Sequence, residues 1–156
     1  MIESITAKEN KKIKLISSLS AKKGRIKNNA YLVEGKRMVL EAFEYVRDAI
    51  MFIIISENFS SENKDLVTSL DESGISVYTV SDKLFKESVD TMNPQGIAAA
   101  VSIKNLSVKK SELNDINKIL ILDGISEPGN LGTIIRTAEA AGIELIYLLK
   151  GCADIY

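Results

Sequence analysis

A chain of 156 residues, 46% hydrophobic and 26% charged with a net charge of −1, has the composition of a folded globular protein and not of a disordered tail. Its longest apolar run, residues 49–55, is far short of the roughly 20 needed to cross a bilayer, and the N-terminus lacks a signal-peptide core, so the cytoplasm is the expected location. One cysteine, Cys152, and no histidine exclude a disulfide framework, cysteine-held zinc, His-ligated metals and His-based triads; no metal is expected.

Along the chain, residues 8–21 read as an amphipathic helix with Ile13, Ile16 and Leu19 inward and lysines outward. "KKGRIKNN" follows as a basic turn around Gly24, then "AYLVEG" as a short strand ending at Gly35. "KRMVLEAFEYV" places Met38, Leu40, Ala42 and Phe43 at helical spacing, and "AIMFIIIS" reads as a strand buried on both faces. "SSENKDLVTSLDESG" has a Ser at the N-cap position and a stop at Gly74. A strand "ISVYTVS", a short helix "DKLFKESVD", a turn "TMNPQG" and a strand "IAAAVSI" complete an alternating series, which predicts a compact α/β layer domain over residues 1–103. Residues 104–117 are polar and predict a linker; a strand–loop–helix–strand begins at 118.

Charge divides along the same line. Residues 1–40 carry ten Lys/Arg against three Glu, a net +7, and residues 41–156 carry ten against eighteen acids, a net −8. Such segregation suits either a local anionic partner or a solvated lysine-rich helix, and composition leaves both open. Residues 118–156 are only 39, small against the roughly 100–150 of a typical domain, so this unit is expected to dock on something else or to be part of a longer protein.

The segment "LDGISEPGNLGTIIRTAEAAG" concentrates the site-like features. A strand at Ile119–Leu122 breaks into a loop marked by Gly124, Pro128, Gly129 and Gly132; a helix is predicted from Thr133 to Ala141, with Gly142 as its stop. It is neither a P-loop, lacking Gly-Lys-Ser/Thr, nor a dinucleotide fingerprint, lacking G-x-G-x-x-G. It offers the Asn130 amide, to tie the loop together or cap the helix, and Arg136, predicted to lie near a locally positive helix N-terminus. The alternative for Arg136 is a surface arginine paired with Glu139 or Glu127, and Glu127 itself reads as a solvated carboxylate.

This segment resembles the first signature of the SpoU (TrmH-type) family of RNA ribose 2′-O-methyltransferases, in the SPOUT superfamily. The resemblance rests on Asp123, Pro128, Asn130, Gly132, Arg136, Thr137 and Ala138, and upstream on "AYLVEGKRMVLEAF" and "TMNPQGIAAAV". It implies an α/β fold in which a ribosomal-protein-like α/β/α RNA-binding domain precedes the first βαβ portion of a knotted, Rossmann-like SPOUT methyltransferase domain. It also implies S-adenosylmethionine as methyl donor, rRNA or tRNA as substrate, and a homodimer when the catalytic domain is complete. Arg136 and Asn130 match the family's functional pair, and Lys22, Lys23, Arg25, Lys27, Lys36 and Arg37 would meet RNA phosphates. The donor-binding signatures are not among these 156 residues, so no cofactor-binding residue is expected here and the chain alone is expected to be inactive. Tyr31 admits base stacking or core packing, and Gly35 and Gly96 read as packing glycines. A non-enzymatic module for structured RNA remains an alternative, as does an α/β domain binding a small anion at the 124–132 loop.

Overall fold

The computed structural model describes residues 2–103 and 112–156, and the chain divides into two compact units, Met1–Lys104 and Asn105–Tyr156. The first unit contains strands β1 (Glu3–Ile5), β2 (Ala30–Glu34), β3 (Ile50–Ser56), β4 (Val77–Val80) and β5 (Ile97–Ser102). Its helices are α1 (Lys11–Ser18), α2 (Lys22–Asn28), α3 (Lys36–Tyr45), α4 (Glu57–Glu62), α5 (Lys64–Glu72) and α6 (Asp82–Ser88). The strands form one sheet in the order β1-β4-β3-β5-β2. β1 and β3 flank β4 in parallel, while β5 runs antiparallel to both β3 and β2. The C-terminal ends of β1 to β4 therefore share one edge of the sheet.

Period-two alternation in β3 feeds two cores. Ile53 and Ile55 pack with Val39 and Ala42 of α3, Phe59 of α4 and Val67 and Leu70 of α5. Phe52 and Ile54 pack with Ile13 and Ile16 of α1 and Leu84 and Phe85 of α6 on the opposite face. Helices thus cover both faces, an α/β/α arrangement, and the fully buried Ala98, Ala99 and Ala100 of β5 leave room for close approach from each side.

Several local expectations change. The "KKGRIKNN" turn is the helix α2, because Gly24 lets it close against α1: a Cβ there would stand 1.7 Å from the Ser18 carbonyl oxygen. On α3 the core-facing residue is Val39, fully buried, while Met38 is 51% exposed; with apolar residues at 38, 39 and 40 the sequence leaves the phase of the helix ambiguous. The expected single helix after residue 60 is two: Ser56 caps α4 by accepting from the Phe59 N–H at 3.2 Å, and α5 starts after Asn63. β1 is an addition to the expected series, too short to show alternation in sequence. Gly96 has φ +79°, and a Cβ there would lie 2.7 Å from Ser56 Oγ and 2.9 Å from Phe59 Cβ, which accounts for glycine by packing. Tyr31 is half-buried against the α3 side of the core.

In the second unit β6 (Ile119–Leu122) pairs in parallel with β7 (Leu145–Leu148), linked by α7 (Pro128–Ala140). Of the expected 104–117 linker, residues 104–111 lie outside the described residues, and Glu112–Asp115 form a 3-10 turn. No strand pairing joins the two sheets among the described residues. No helix among those residues is long and apolar enough to cross a membrane.

Candidate functional site

The loop between β6 and α7 is held by three main-chain or side-chain contacts from the chain that follows β7. Leu149 N–H donates to the Leu122 carbonyl at 2.8 Å and Ala153 N–H to the Ile125 carbonyl at 2.7 Å. The Cys152 thiol also donates to the Leu122 carbonyl at 3.4 Å, so the cysteine is a half-buried packing residue with one polar contact.

α7 begins five residues earlier than the sequence pattern indicates, at Pro128 and not Thr133. Proline suits the first helical position because its missing N–H has no partner to lose there. Glu127 is the N-cap: its Oε2 accepts from the Asn130 N–H at 2.7 Å, and its carbonyl accepts from Leu131 N–H at 3.0 Å. The carboxylate expected to be solvated is therefore structural, placed where the positive end of the helix favours an anion. Gly129 and Gly132 lie inside the helix, and Asn130 is in its first turn. The Asn130 side-chain amide bonds nothing among the described residues, so it neither ties the loop nor caps the helix.

Arg136 consequently lies in the third turn, beyond the helix N-terminus. Its guanidinium folds back along the helix: Nη2 donates to Thr133 Oγ1 at 3.2 Å, and Thr133 Oγ1 donates in turn to the Gly129 carbonyl at 2.9 Å. Gly132 leaves space for this, since a Cβ there would sit 3.3 Å from Arg136 Nη1. No ion pair to Glu139 or Glu127 forms among the described residues. Thr133, absent from the residues that the motif singles out, is the link; its only signal is a hydroxyl three residues before the arginine.

An open pocket of about 380 Å³ lies against this segment, lined by Gly124, Ser126, Glu127, Asn130, Thr133 and Ile134 among others. Asn130 and Thr133 line it, and Arg136, which is not in the lining, is tied to it only through the Thr133 hydroxyl. The pocket offers one carboxylate, an amide and hydroxyls, with no cation in its lining for a methionine carboxylate. A second groove, between Leu120, Thr137, Ala138 and Ile143, is apolar, with no charged residue in its lining among the described residues. The described residues do not by themselves fit S-adenosylmethionine. They contain no group of three or more carboxylate or thiol side chains placed to hold a metal.

The six basic residues expected to meet RNA are divided between two helices. Lys22, Lys23 and Lys27 are exposed on α2, ahead of β2, whereas Lys36 and Arg37 follow it. The five residues of β2 put about 17 Å between these groups at 3.3–3.4 Å per residue. Arg25 is committed to structure, its Nη1 donating to the Leu19 and Ser20 carbonyls at 3.0 and 2.8 Å at the end of α1. Lys36 Nζ donates to Asn63 Oδ1 at 2.7 Å, and Arg37 pairs with Glu41 at 2.9 Å. Two distant motifs do meet at that edge: Lys36 N–H donates to Gln95 Oε1 at 2.9 Å, and Thr91 Oγ1 donates to Glu34 Oε2 at 2.7 Å.

Comparison with known proteins places both units. Residues 10–99 match the MRM3-like substrate binding domain, and residues 117–156 match the SpoU rRNA Methylase family. The chain is 34% identical over 155 residues to the 23S rRNA (guanosine(2553)-2′-O)-methyltransferase RlmP of Bacillus subtilis, covering 99% of this chain and 58% of that protein. It is 31% identical over 136 residues to the human mitochondrial rRNA methyltransferase 3, covering 85% of this chain and 31% of that one. The crystal structure of an rRNA methyltransferase from Sinorhizobium meliloti superposes with a TM-score of 0.74 at 27% identity, over 98% of this chain and 57% of the other. An AdoMet-bound structure of an rRNA methyltransferase from the same organism gives 0.71. The chain thus spans little more than half the length of its bacterial relatives.

Proposed function

This chain belongs to the SpoU rRNA methylase family, with an MRM3-like substrate binding domain ahead of its methylase segment, and from that premise we propose that the whole protein methylates ribose 2′-hydroxyls of structured RNA. The donor is S-adenosylmethionine, bound by residues outside those described. The RNA is ribosomal, as in the names of the relatives, with tRNA as the alternative; as further parts of the same proposal, the enzyme works in the cytoplasm and is a homodimer when its methylase domain is complete.

The observation that carries this reading is the Arg136–Thr133–Gly129 hydrogen-bond chain, whose middle member Thr133 lines the same pocket as Asn130. A guanidinium keeps its charge at any physiological pH, so Arg136 is no general base. Its role is to hold the target nucleotide and to stabilise negative charge developing on the 2′-oxygen. Thr133, which lines the pocket, is the positioning residue that holds the guanidinium through its hydroxyl. Asn130, with its amide unengaged, shapes the pocket wall and is available to the ribose. The first unit holds the RNA.

Arg136→Ala in the protein with its complete methylase domain tests the assignment, with methyl transfer to RNA and donor binding measured in parallel. Turnover is expected to fall by roughly 10²–10³, the usual effect of removing one preorganised donor at an oxyanion. Donor affinity is expected to stay unchanged. Arg136→Lys recovers little, because an ammonium lacks the planar fork. Full turnover by Arg136→Ala would return this arginine to the surface-residue reading.

A further inference from the structure

Methylation of a ribose 2′-hydroxyl displaces a proton, and Arg136, which stays charged, does not accept it. The pocket shared by Asn130 and Thr133 contains one other candidate. Glu127 is the one charged residue in its lining among the described residues. Its carboxylate is half used: Oε2 accepts from the Asn130 N–H at 2.7 Å, and Oε1 has no partner among the described residues. The titratable groups on the neighbouring segments are Asp123 in the loop, Arg136 and Glu139 on α7, and Lys150, Cys152 and Asp154 after β7. None of these six lines the pocket.

Two glycines make room for Glu127 and Arg136. A Cβ at Gly129 would stand 3.0 Å from Glu127 Oε2 and 3.4 Å from Oε1, and one at Gly132 would stand 3.3 Å from Arg136 Nη1. Gly129 also joins the two side chains. Its carbonyl accepts from Thr133 Oγ1 at 2.9 Å, and that hydroxyl accepts from Arg136 Nη2 at 3.2 Å. The cap bond fixes the carboxylate before substrate arrives, so little further ordering is needed. An ionised carboxylate only accepts hydrogen bonds, and in a pocket whose lining has no cation its free oxygen suits a hydroxyl.

We propose that Glu127 is the general base of the methylation, with Oε1 accepting the proton of the target 2′-hydroxyl. The inference rests on the ribose-methylating function proposed for the whole protein. The O–H bond breaks, its electron pair stays on the 2′-oxygen and forms the bond to the methyl carbon, and the pair of the broken carbon–sulfur bond stays on the sulfur of the sulfonium donor. Oε1 then gives the proton to solvent at the open pocket, which restores the carboxylate. A carboxylate suits this task although it is a weak base, because it takes the proton only as the new bond forms; an aspartate serves the substrate hydroxyl of protein kinases in the same way. Glu127 thus removes the proton while Arg136 stabilises the charge left on the oxygen.

The test uses the protein with its complete methylase domain, an unmodified 23S rRNA transcript and tRNA, with methyl transfer followed across pH and folding read by a thermal melt. Glu127→Gln keeps an oxygen for the Asn130 N–H but takes no proton. Its turnover should fall by roughly 10²–10⁴, and the acid-side fall of the wild-type rate should disappear. Glu127→Asp restores both a base and a cap, and should bring back part of the rate together with the acid-side fall. Turnover lost in Glu127→Ala but kept in Glu127→Gln would make the residue a cap alone and overturn the proposal. Should the Gln variant melt early, the wild-type profile decides: a rate that stays flat as pH falls through the carboxylate range overturns it. Turnover kept in Glu127→Gln but lost in Arg136→Ala would sink the general base and leave the function standing. Turnover kept in both variants, or no transfer to either RNA by the wild type, would sink the reading of the site on which the general base rests.

Discussion

The two units solve the burial of a sheet differently. In the first, helices cover both faces, and Ile53, Ile54 and Ile55 of the central strand are fully buried. In the second, α7 covers one face of β6 and β7 through Leu131 and Ala138, while Ile121 is 61% exposed, with Ile119 and Tyr147 beside it on the open strands. The first unit carries its own core; the second carries the proposed catalytic residues on a scaffold whose apolar surface is half open.

Hydrogen exchange offers the widest test of that contrast. Amides of β3 and β5 should exchange orders of magnitude more slowly than those of β6 and β7, because local opening is easiest where it uncovers the least apolar surface. Comparable protection in both sheets would remove the distinction. Core truncation comes next: Ile54→Ala should lower the unfolding free energy by roughly 2–5 kcal/mol, whereas Ile121→Ala should change it by less than about 0.5 kcal/mol. Denaturant melts of the two variants make the comparison directly.

Gly24→Ala and Glu127→Ala probe one joint in each unit. The first forces α2 away from Ser18 and should cost about 1–3 kcal/mol, with weakened salt-dependent RNA binding as a second readout. The second removes a helix cap and should cost about 1 kcal/mol, seen as faster exchange of the Asn130 and Leu131 amides with β3 unaffected. The smallest effect concerns pH. A hydrogen bond from Lys8, and then its charge, hold the Glu87 carboxyl below its usual value. A lowered folded pKa gives stability that is present above the unfolded carboxylate value and is lost as pH falls through the folded one. Lys8→Gln should remove that acid-side slope; the pair is exposed, so the change will be slight.

Much of the architecture is legible in the residues themselves. The run "AIMFIIIS", read as a strand buried on both faces, contains β3 with Ile53, Ile54 and Ile55 fully buried, and Ile13 and Ile16 of α1 with Leu19 at its C-cap are buried as their spacing requires. Ser81 and Asp82 open α6 where the chain leaves β4. The errors have a common cause. Glycines 24, 129 and 132 read as punctuation along the chain, yet each lies within a helix, because a glycine that gives room to a neighbour looks in sequence like one that makes a turn.

Sequence alone determined the alternation of strands and helices, the signature from Asp123 to Ala138 and the family it marks, because periodicity and motif spacing are local properties of the chain. Tertiary structure decided the rest. It started α7 at Pro128 and so moved Arg136 into the third turn beside Thr133, and it turned Glu127 from a solvated acid into a cap. It also sorted the basic residues: Arg25 to the end of α1, Lys36 and Arg37 to one end of β2, and Lys23 and Lys27 into a groove with Lys11 and Lys14. That sorting depends on where helix axes cross, which here is set by a glycine meeting a carbonyl six residues earlier, and no count of charges along the chain contains it.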